Sequence, residues 1–306
     1  MPAYAELQIT TNFCFLRGAS HPEELVLRAH ELGLAAIAVT DRNSLAGIVR
    51  GHVKATELGL RFLVGVRLDL TDGPSLLAWP TDKPAYSRLA QLLTLGKRRA
   101  GKGQCLLQFA DVMAHDEGQL FAAIDPDDVI LATLAERWRD RLYLVASHRF
   151  NGDDQQRLAG LTAQARRHRI KLLATNDVHY PAAGRRPLQD VVTCIREHCT
   201  LETAGGHLSA NAERHLKPAA EMARLFADWP DALASSVEIA NRCTFSLDEL
   251  AYDYPVEPAY DGRTPQQELE RLTWLGAVER YGDPVPEKVK RTLAYELGLI
   301  AELAYA

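Results

Sequence analysis

Cysteine is scarce in this chain, and its spacing carries no chemistry. The five cysteines, Cys14, Cys105, Cys194, Cys199 and Cys243, form no Cys-x-x-Cys pair among 306 residues. They are too few for a disulfide framework and read as small buried thiols. No apolar run approaches the ~20 residues of a membrane span, so no membrane partner is expected. The opening "MPAYAELQIT" lacks the basic and apolar regions of a signal peptide, and the expected location is the cytoplasm. Positive charge is not in excess either. A formal net charge of −5 excludes a chain that binds polyanions over its whole surface. Aromatic residues make up 7% of the chain. Trp79, Trp138, Trp229 and Trp274 stand apart and form no ladder for stacking bases. Also missing are a Walker-type loop, a GxGxxG after a strand, and a Ser-His-Asp nucleophile elbow.

What is present is an alternation of strands and helices. "AELQIT" reads as a strand, followed by the amphipathic helix "HPEELVLRAHELG" with Pro22 near its start and Gly33 at its end. "LAAIAVTD" is a buried strand and "SLAGIVRGHVKATELG" a helix closing on Gly59. "LRFLVGVRLDL" and "GPSLLAWP" read as strands and "AYSRLAQLLTLGKRRA" as a helix. "RLYLVAS" is a strand, "DQQRLAGLTAQARRHR" a helix and "IKLLATND" a strand. These repeated units predict an α/β fold with a mostly parallel sheet, open or closed into a barrel. After about residue 185 only helices are expected, among them "PLQDVVTCIREHC" and "DALASSVEIANRC". Residues 245–265, rich in Pro and Tyr, read as an extended connector. The last helix has no terminal cap before Ala306, so the chain is expected to be a piece of a longer protein.

In such folds the functional residues gather at the carboxyl ends of the strands. The stretch "LLATNDVHY" offers Asp177 and His179, which share one side of a strand and could meet at one point as metal ligands do. The first strand places Glu6, Gln8 and Thr10 on one face, with Leu7 and Ile9 on the other. The second ends in Thr40, Asp41 and Arg42, the third carries Arg67, and a later one ends near His148. Local roles compete with these. Asp41 can cap a helix starting near Ser44, Asn176 can sit in a turn, and His179 can be a satisfied core histidine. The one basic cluster, "GKRRAGKG", contains Lys97, Arg98 and Arg99. They are candidates for nucleic-acid contact, although a solvated helix end that favours cations explains them as well.

"LAAIAVTDRNSLAG", "ATNDVHY" and "LKPAAEMARLFADWPDALASSVEIANRC" resemble the polymerase-and-histidinol-phosphatase (PHP) domain of bacterial C-family DNA polymerases. "YAELQITTNFCFLRGASHPEELV" and "SHRFNGDD" are most similar to the error-prone branch of that family. The resemblance covers essentially the whole chain. It implies a distorted (β/α)7 barrel over residues 1–185 and a helical segment, 186–244, that completes or flanks it. A connector, 245–265, and the truncated start of the polymerase region, 266–306, would follow.

The resemblance also implies a metal site, and this chain departs from it. The His-x-His of the first strand is replaced around Glu6, Gln8 and Thr10. The usual Thr-Asp-His is Thr40-Asp41-Arg42, the usual Gly-x-Glu is Gly65-Val66-Arg67, and another acidic position is apolar near Val145. Asp41, His148, Asp177 and His179 match the remaining ligands. A multinuclear site holds dications about 4 Å apart and needs carboxylates to offset them, whereas Arg42 and Arg67 bring permanent cations. The expectation is that Arg42 and Arg67 stand in for the metals by pairing with Asp41, Asp177 and Glu6. The domain would then be a scaffold without phosphoesterase activity or resident cofactor. Its partners would be the remainder of the polymerase chain, DNA through that chain, and other proteins of the mutagenesis complex. Polymerase Mg²⁺ would belong to a palm beyond Ala306. Two alternatives remain open. One is an active phosphoesterase, a 3′–5′ exonuclease or small-molecule phosphatase, with a single zinc or manganese on the four matching residues. The other is a pure protein-interaction module.

Overall fold

The computed structural model describes residues 3–250 and 262–306. Its elements alternate through the first half of the chain. They are β1 (Ala5–Glu6), α1 (Pro22–Glu31), β2 (Ala36–Val39), α2 (Ile48–Leu58), β3 (Phe62–Val64), β4 (Val66–Leu68), β5 (Ser75–Pro80), α3 (Lys83–Arg99), α4 (Phe109–Ala114), β6 (Gln119–Ile124), α5 (Asp128–Arg137), β7 (Leu142–Ala146), α6 (Asp154–His168) and β8 (Lys171–Ala174). Helices follow: α7 (Arg186–Glu197), α8 (Ala219–Leu225), α9 (Pro230–Arg242), α10 (Pro265–Tyr281) and α11 (Glu287–Glu302). Among the described residues no helix is long and apolar enough to cross a membrane. The chain divides into two compact units, Met1–Glu249 and Leu250–Ala306.

Two sheets make the barrel. One has the order β1-β2-β3 and the other β4-β5-β6-β7-β8. They are joined at both seams. Thr10 N donates to Val178 O at 2.9 Å and Val178 N to Gln8 O at 2.9 Å, which ties β1 to the chain beyond β8. At the other seam Arg67 N donates to Asp41 O at 3.2 Å and Asn43 N to Arg67 O at 2.8 Å. The fold is thus a distorted α/β barrel, mostly parallel as expected. β5 is the exception, antiparallel to both β4 and β6.

Local chemistry accounts for the helix ends. Pro22 occupies the first turn of α1, where no amide partner is required, and Glu24 Oε2 accepts from His21 N at 3.0 Å. α2 stops on Gly59 at φ 66°, a left-handed conformation that glycine adopts without a Cβ clash.

The expected single strand "LRFLVGVRLDL" is two strands in different sheets, and Gly65 is the reason. A Cβ there would lie 2.8 Å from both Thr40 Cγ2 and Trp79 Cδ1, so only glycine lets the chain cross this point. The first strand is also shorter than expected. Regular pairing ends at Glu6, and the alternation fails with it: Leu7 joins the inner core, while Ile9, two residues on, joins the outer one. α2 begins at Ile48, not Ser44, and Asp41 does not cap it. α4, β6 and α5 have no counterpart among the expected elements; β6, "QLFAAI", is a buried strand. The expected connector lies largely in 251–261, outside the described residues.

The barrel lumen is filled by Leu7, Ala38, Leu63, Leu77, Trp79, Leu120, Tyr143, Val145 and Leu173, all buried. α9 seals its amino end: Ile239, Ala240 and Cys243 belong to the same cluster, and Ala5 N donates to Ser236 Oγ at 3.2 Å. A second core lies between the strands and the outer helices, centred on Phe121, Trp138, Leu144 and Phe226. In the second unit, α10 carries a capping box in which Thr264 Oγ1 accepts from Gln267 N, and Gln266 Nε2 donates to Leu297 O of α11 at 3.2 Å.

Candidate functional site at the carboxyl ends of the strands

With α9 across the amino end, the carboxyl end of the barrel stays open as a cavity of about 480 Å³. Gln8, Arg67, Val145, His148, Asp177 and Arg214 line it, so residues from β1, β4, β7 and β8 meet there as the sequence predicts. The position where the family resemblance implies an acid is filled by the Val145 side chain.

Arg214 organises the pair at the end of β8. Its Nη2 donates both to Asp177 Oδ2 and to His179 Nε2, and its Nε donates to Asp177 O at 3.0 Å. The other Asp177 oxygen accepts from Gln8 Nε2 at 3.0 Å. Burial alone would raise the Asp177 pKa, but the Arg214 charge, with those of Arg67 and Arg42 behind it, holds it below the ordinary carboxylate value. Burial, and then Arg214, push His179 down to about 3, so its ring is neutral and its Nε2 lone pair accepts from the guanidinium. Asp177 itself sits at φ 45°, a conformation costing about 1 kcal/mol for a residue with a Cβ. The strap of residues 209–217 imposes this geometry. Asn176 Nδ2 donates to Glu213 O at 2.8 Å and His215 O at 2.6 Å, and His179 N to Arg214 O at 2.9 Å.

The other candidates are engaged by partners of their own. Asp41 is fully buried, and its oxygens accept from Thr11 N and Thr11 Oγ1, both at 2.7 Å. Burial raises its pKa to about 6 against those two bonds. His148 Nε2 donates to Leu225 O at 2.8 Å, and the ring stands edge-on to Phe226 at 5.0 Å. Glu6, 1% exposed, accepts from Tyr4 Oη at 2.7 Å and from the amides of Gln8 and Asn176 at 3.0 Å each. Burial still drives its pKa up to about 7. Thr10 is buried. Among the described residues, no three His, Cys, Asp or Glu side chains are grouped to hold a metal ion.

The expected partners of Arg42 and Arg67 need correction. Neither guanidinium pairs with Asp41, Asp177 or Glu6. Both go to Asp69: Arg42 Nη1 lies 2.5 Å from Oδ2 and Arg67 Nε 2.9 Å from Oδ1. Ser75 Oγ donates to Oδ1 at 2.6 Å. Burial pushes the Asp69 pKa up, but the Ser75 hydrogen bond and the two guanidinium charges bring it below the ordinary value. The strand bridge between Arg42 and Arg67 sets both beside this carboxylate, two residues beyond Arg67. Sequence reasoning missed Arg214, Asp69 and Thr11. Only for Asp69 was there a signal, its place on the same strand face as Arg67.

At the basic cluster, Lys97, Arg98 and Arg99 occupy the last turn of α3. Arg99 is committed to Asp111 at 2.5 Å, while Lys97 lines a second cavity near the open end of the barrel.

A family model described as the PHP domain matches residues 6–180, more than half of the chain. The chain belongs to the PHP domain family. It is 50% identical over 311 residues to the error-prone DNA polymerase of Caulobacter vibrioides, covering 99% of this chain and 29% of that protein. Error-prone DNA polymerase 2 of Rhizobium meliloti is 49% identical over 309 residues, with 99% and 28% covered. The chain therefore spans a little over a quarter of the length of these relatives. Among solved structures, an amidohydrolase from Chromobacterium violaceum, with bound sulfate and no metal, aligns at TM-score 0.46 and 16% identity over 59% of this chain and 89% of that one.

Proposed function

We propose that this chain is the PHP portion of an error-prone DNA-directed DNA polymerase, a nucleotidyltransferase of translesion synthesis, DNA repair and replication in the cytoplasm. Near-half identity to two error-prone polymerases, across almost the whole chain, supports the polymerase assignment. The barrel serves that polymerase as a scaffold. It supports the remainder of the chain, through which it meets DNA and the other proteins of the mutagenesis complex. Residues 266–306 begin the polymerase region, and Mg²⁺ chemistry belongs to the palm.

The observation that carries the scaffold reading is the place of Arg214. A dication between Asp177 and His179 needs a free carboxylate and a free imidazole lone pair. Arg214 uses one oxygen of Asp177 and the Nε2 of His179, and Gln8 uses the other oxygen. Asp41 and His148 are engaged elsewhere. The residues as arranged do not fit the metal site of the family, and Arg214 supplies the positive charge that a cation would otherwise bring.

Elemental analysis tests this. The 306-residue chain, purified without chelator and offered Zn²⁺ and Mn²⁺, should hold no more metal than an Asp177→Ala, His179→Ala double variant. Stoichiometric metal lost in that variant, together with hydrolysis of 3′ ends or small phosphomonoesters, would overturn the scaffold reading in favour of a metal-dependent phosphoesterase.

A further inference from the structure

Beside the open end of the barrel, the loop of residues 11–17 and the end of α3 enclose a second cavity of about 600 Å³. Four cations line it: Arg17, Arg42, Lys97 and Lys102. Asp69 is the one acid among its lining residues, and it is already shared by Arg42 and Arg67. Among the described residues, the side chains of Arg17, Lys97 and Lys102 have no hydrogen-bonded or ion-paired partner. Burial, and then the charges of Arg42 and Arg196, pull the Arg17 pKa down against the opposing pull of Cys14 and Asp69. On the rim of the same cavity stands Phe15, 82% exposed. Phe13 lines it too, its ring 5.7 Å from the Arg50 guanidinium.

We propose that this cavity binds a segment of single-stranded nucleic acid, with Arg17, Lys97 and Lys102 on its phosphates and Phe15 stacked on a base. The two features belong together. Uncompensated cations in a concave site attract phosphate, and an exposed ring beside them offers a face that only an unpaired base can use. A duplex hides its base faces, so the ring would add nothing to its binding. Arg98 and Arg99 do not line the cavity, and Arg99 is spent on Asp111. The nucleic-acid contact expected from the basic cluster thus narrows to Lys97 and gains Arg17 and Lys102. This inference is independent of whether the barrel binds metal.

The test is fluorescence anisotropy of a labelled short oligothymidylate with the 306-residue chain, over a range of salt. An Arg17→Ala, Lys97→Ala double variant should bind at least about tenfold more weakly and lower the salt slope by roughly 1.4, about 0.7 for each phosphate contact. Phe15→Ala should lose about tenfold with the slope unchanged. Phe15→Trp should retain binding and have its indole emission quenched by the oligonucleotide. All three positions are exposed, and matched thermal melts would verify the fold. An Arg139→Ala, Arg166→Ala variant removes the same charge from exposed sites elsewhere and should bind normally. The proposal is overturned if that control loses as much affinity, if blunt duplex or thymidine monophosphate competes as well as the single strand, or if Phe15→Ala leaves affinity unchanged.

Discussion

Replacing Glu6 by Gln should remove a defined part of the pH dependence of folding. Glu6 lies in the barrel wall with 1% of its surface exposed, and burial raises its carboxyl from 4.5 to about 7. The hydrogen bonds from Tyr4, Gln8 and Asn176 oppose that rise, and the charge of Asp177 adds to it. The folded chain therefore keeps a proton that the unfolded chain gives up above pH 4.5. The stability this contributes is fully present below the unfolded value and is lost as pH rises through about 7. Between pH 5 and pH 8 the loss amounts to about 2.5 kcal/mol.

Other groups titrate in the same window. Asp41, raised to about 6, acts in the same sense as Glu6. His179, lowered to about 3, acts oppositely: its contribution is lost as pH falls below 6.5. The pH profile of the wild-type chain alone thus mixes signs, but the difference between wild type and Glu6→Gln isolates Glu6. Urea unfolding of both chains at pH 5 and pH 8 gives the four free energies required. The variant should be less stable at pH 5, because a Gln amide cannot accept from all three donors, and should lose about 2.5 kcal/mol less on going to pH 8. Equal changes in the two chains would refute the argument, and would mean that the three donors hold Glu6 ionised in the folded barrel throughout.

Asp69→Asn leaves the guanidiniums of Arg42 and Arg67 without their carboxylate and should cost about 2 kcal/mol in urea unfolding. Arg28→Ala, at the exposed Arg28–Glu31 pair, should cost less than about 1 kcal/mol in the same assay, and equal costs would deny Asp69 its role. Gly65→Ala drives a methyl group against Thr40 and Trp79 and should cost about 1–3 kcal/mol in thermal unfolding. An unchanged midpoint would show that the β3–β4 crossing yields.

Periodic features of the fold were legible in the sequence. The apolar runs of β2, β7 and β8, and the helices closed by Gly33 and Gly59, come from local rules that any strand or helix obeys. The adjacency of Asp177 and His179 is likewise a local fact. The partners of charged groups are not local. Asp177 is satisfied from residue 214, Asp41 from residue 11, and Glu6 from residues 4, 8 and 176. Arg42 and Arg67 were expected to pair with Asp41, Asp177 and Glu6, but the strand bridge between them sets both beside Asp69 instead. The division at Gly65 was hidden because apolar residues run on either side of it, and only the approach of Thr40 and Trp79 reveals that the backbone changes sheet.

The way the barrel closes also governs how it can be made. The segment just after β1 is tied by Ile9 to Val178, and Ala5 of β1 is tied to Ser236, 231 residues later. At ~5–20 residues per second, a ribosome needs roughly 10–50 seconds to supply that second partner. Until then the nascent protein carries an open sheet edge and a lumen without a floor, with Leu7, Leu63 and Trp79 facing water or a chaperone. Contacts of such long range are slow to form. A chain cut before α9 would make that transient condition permanent, because Ser236, Ile239 and Ala240 supply the floor of the lumen.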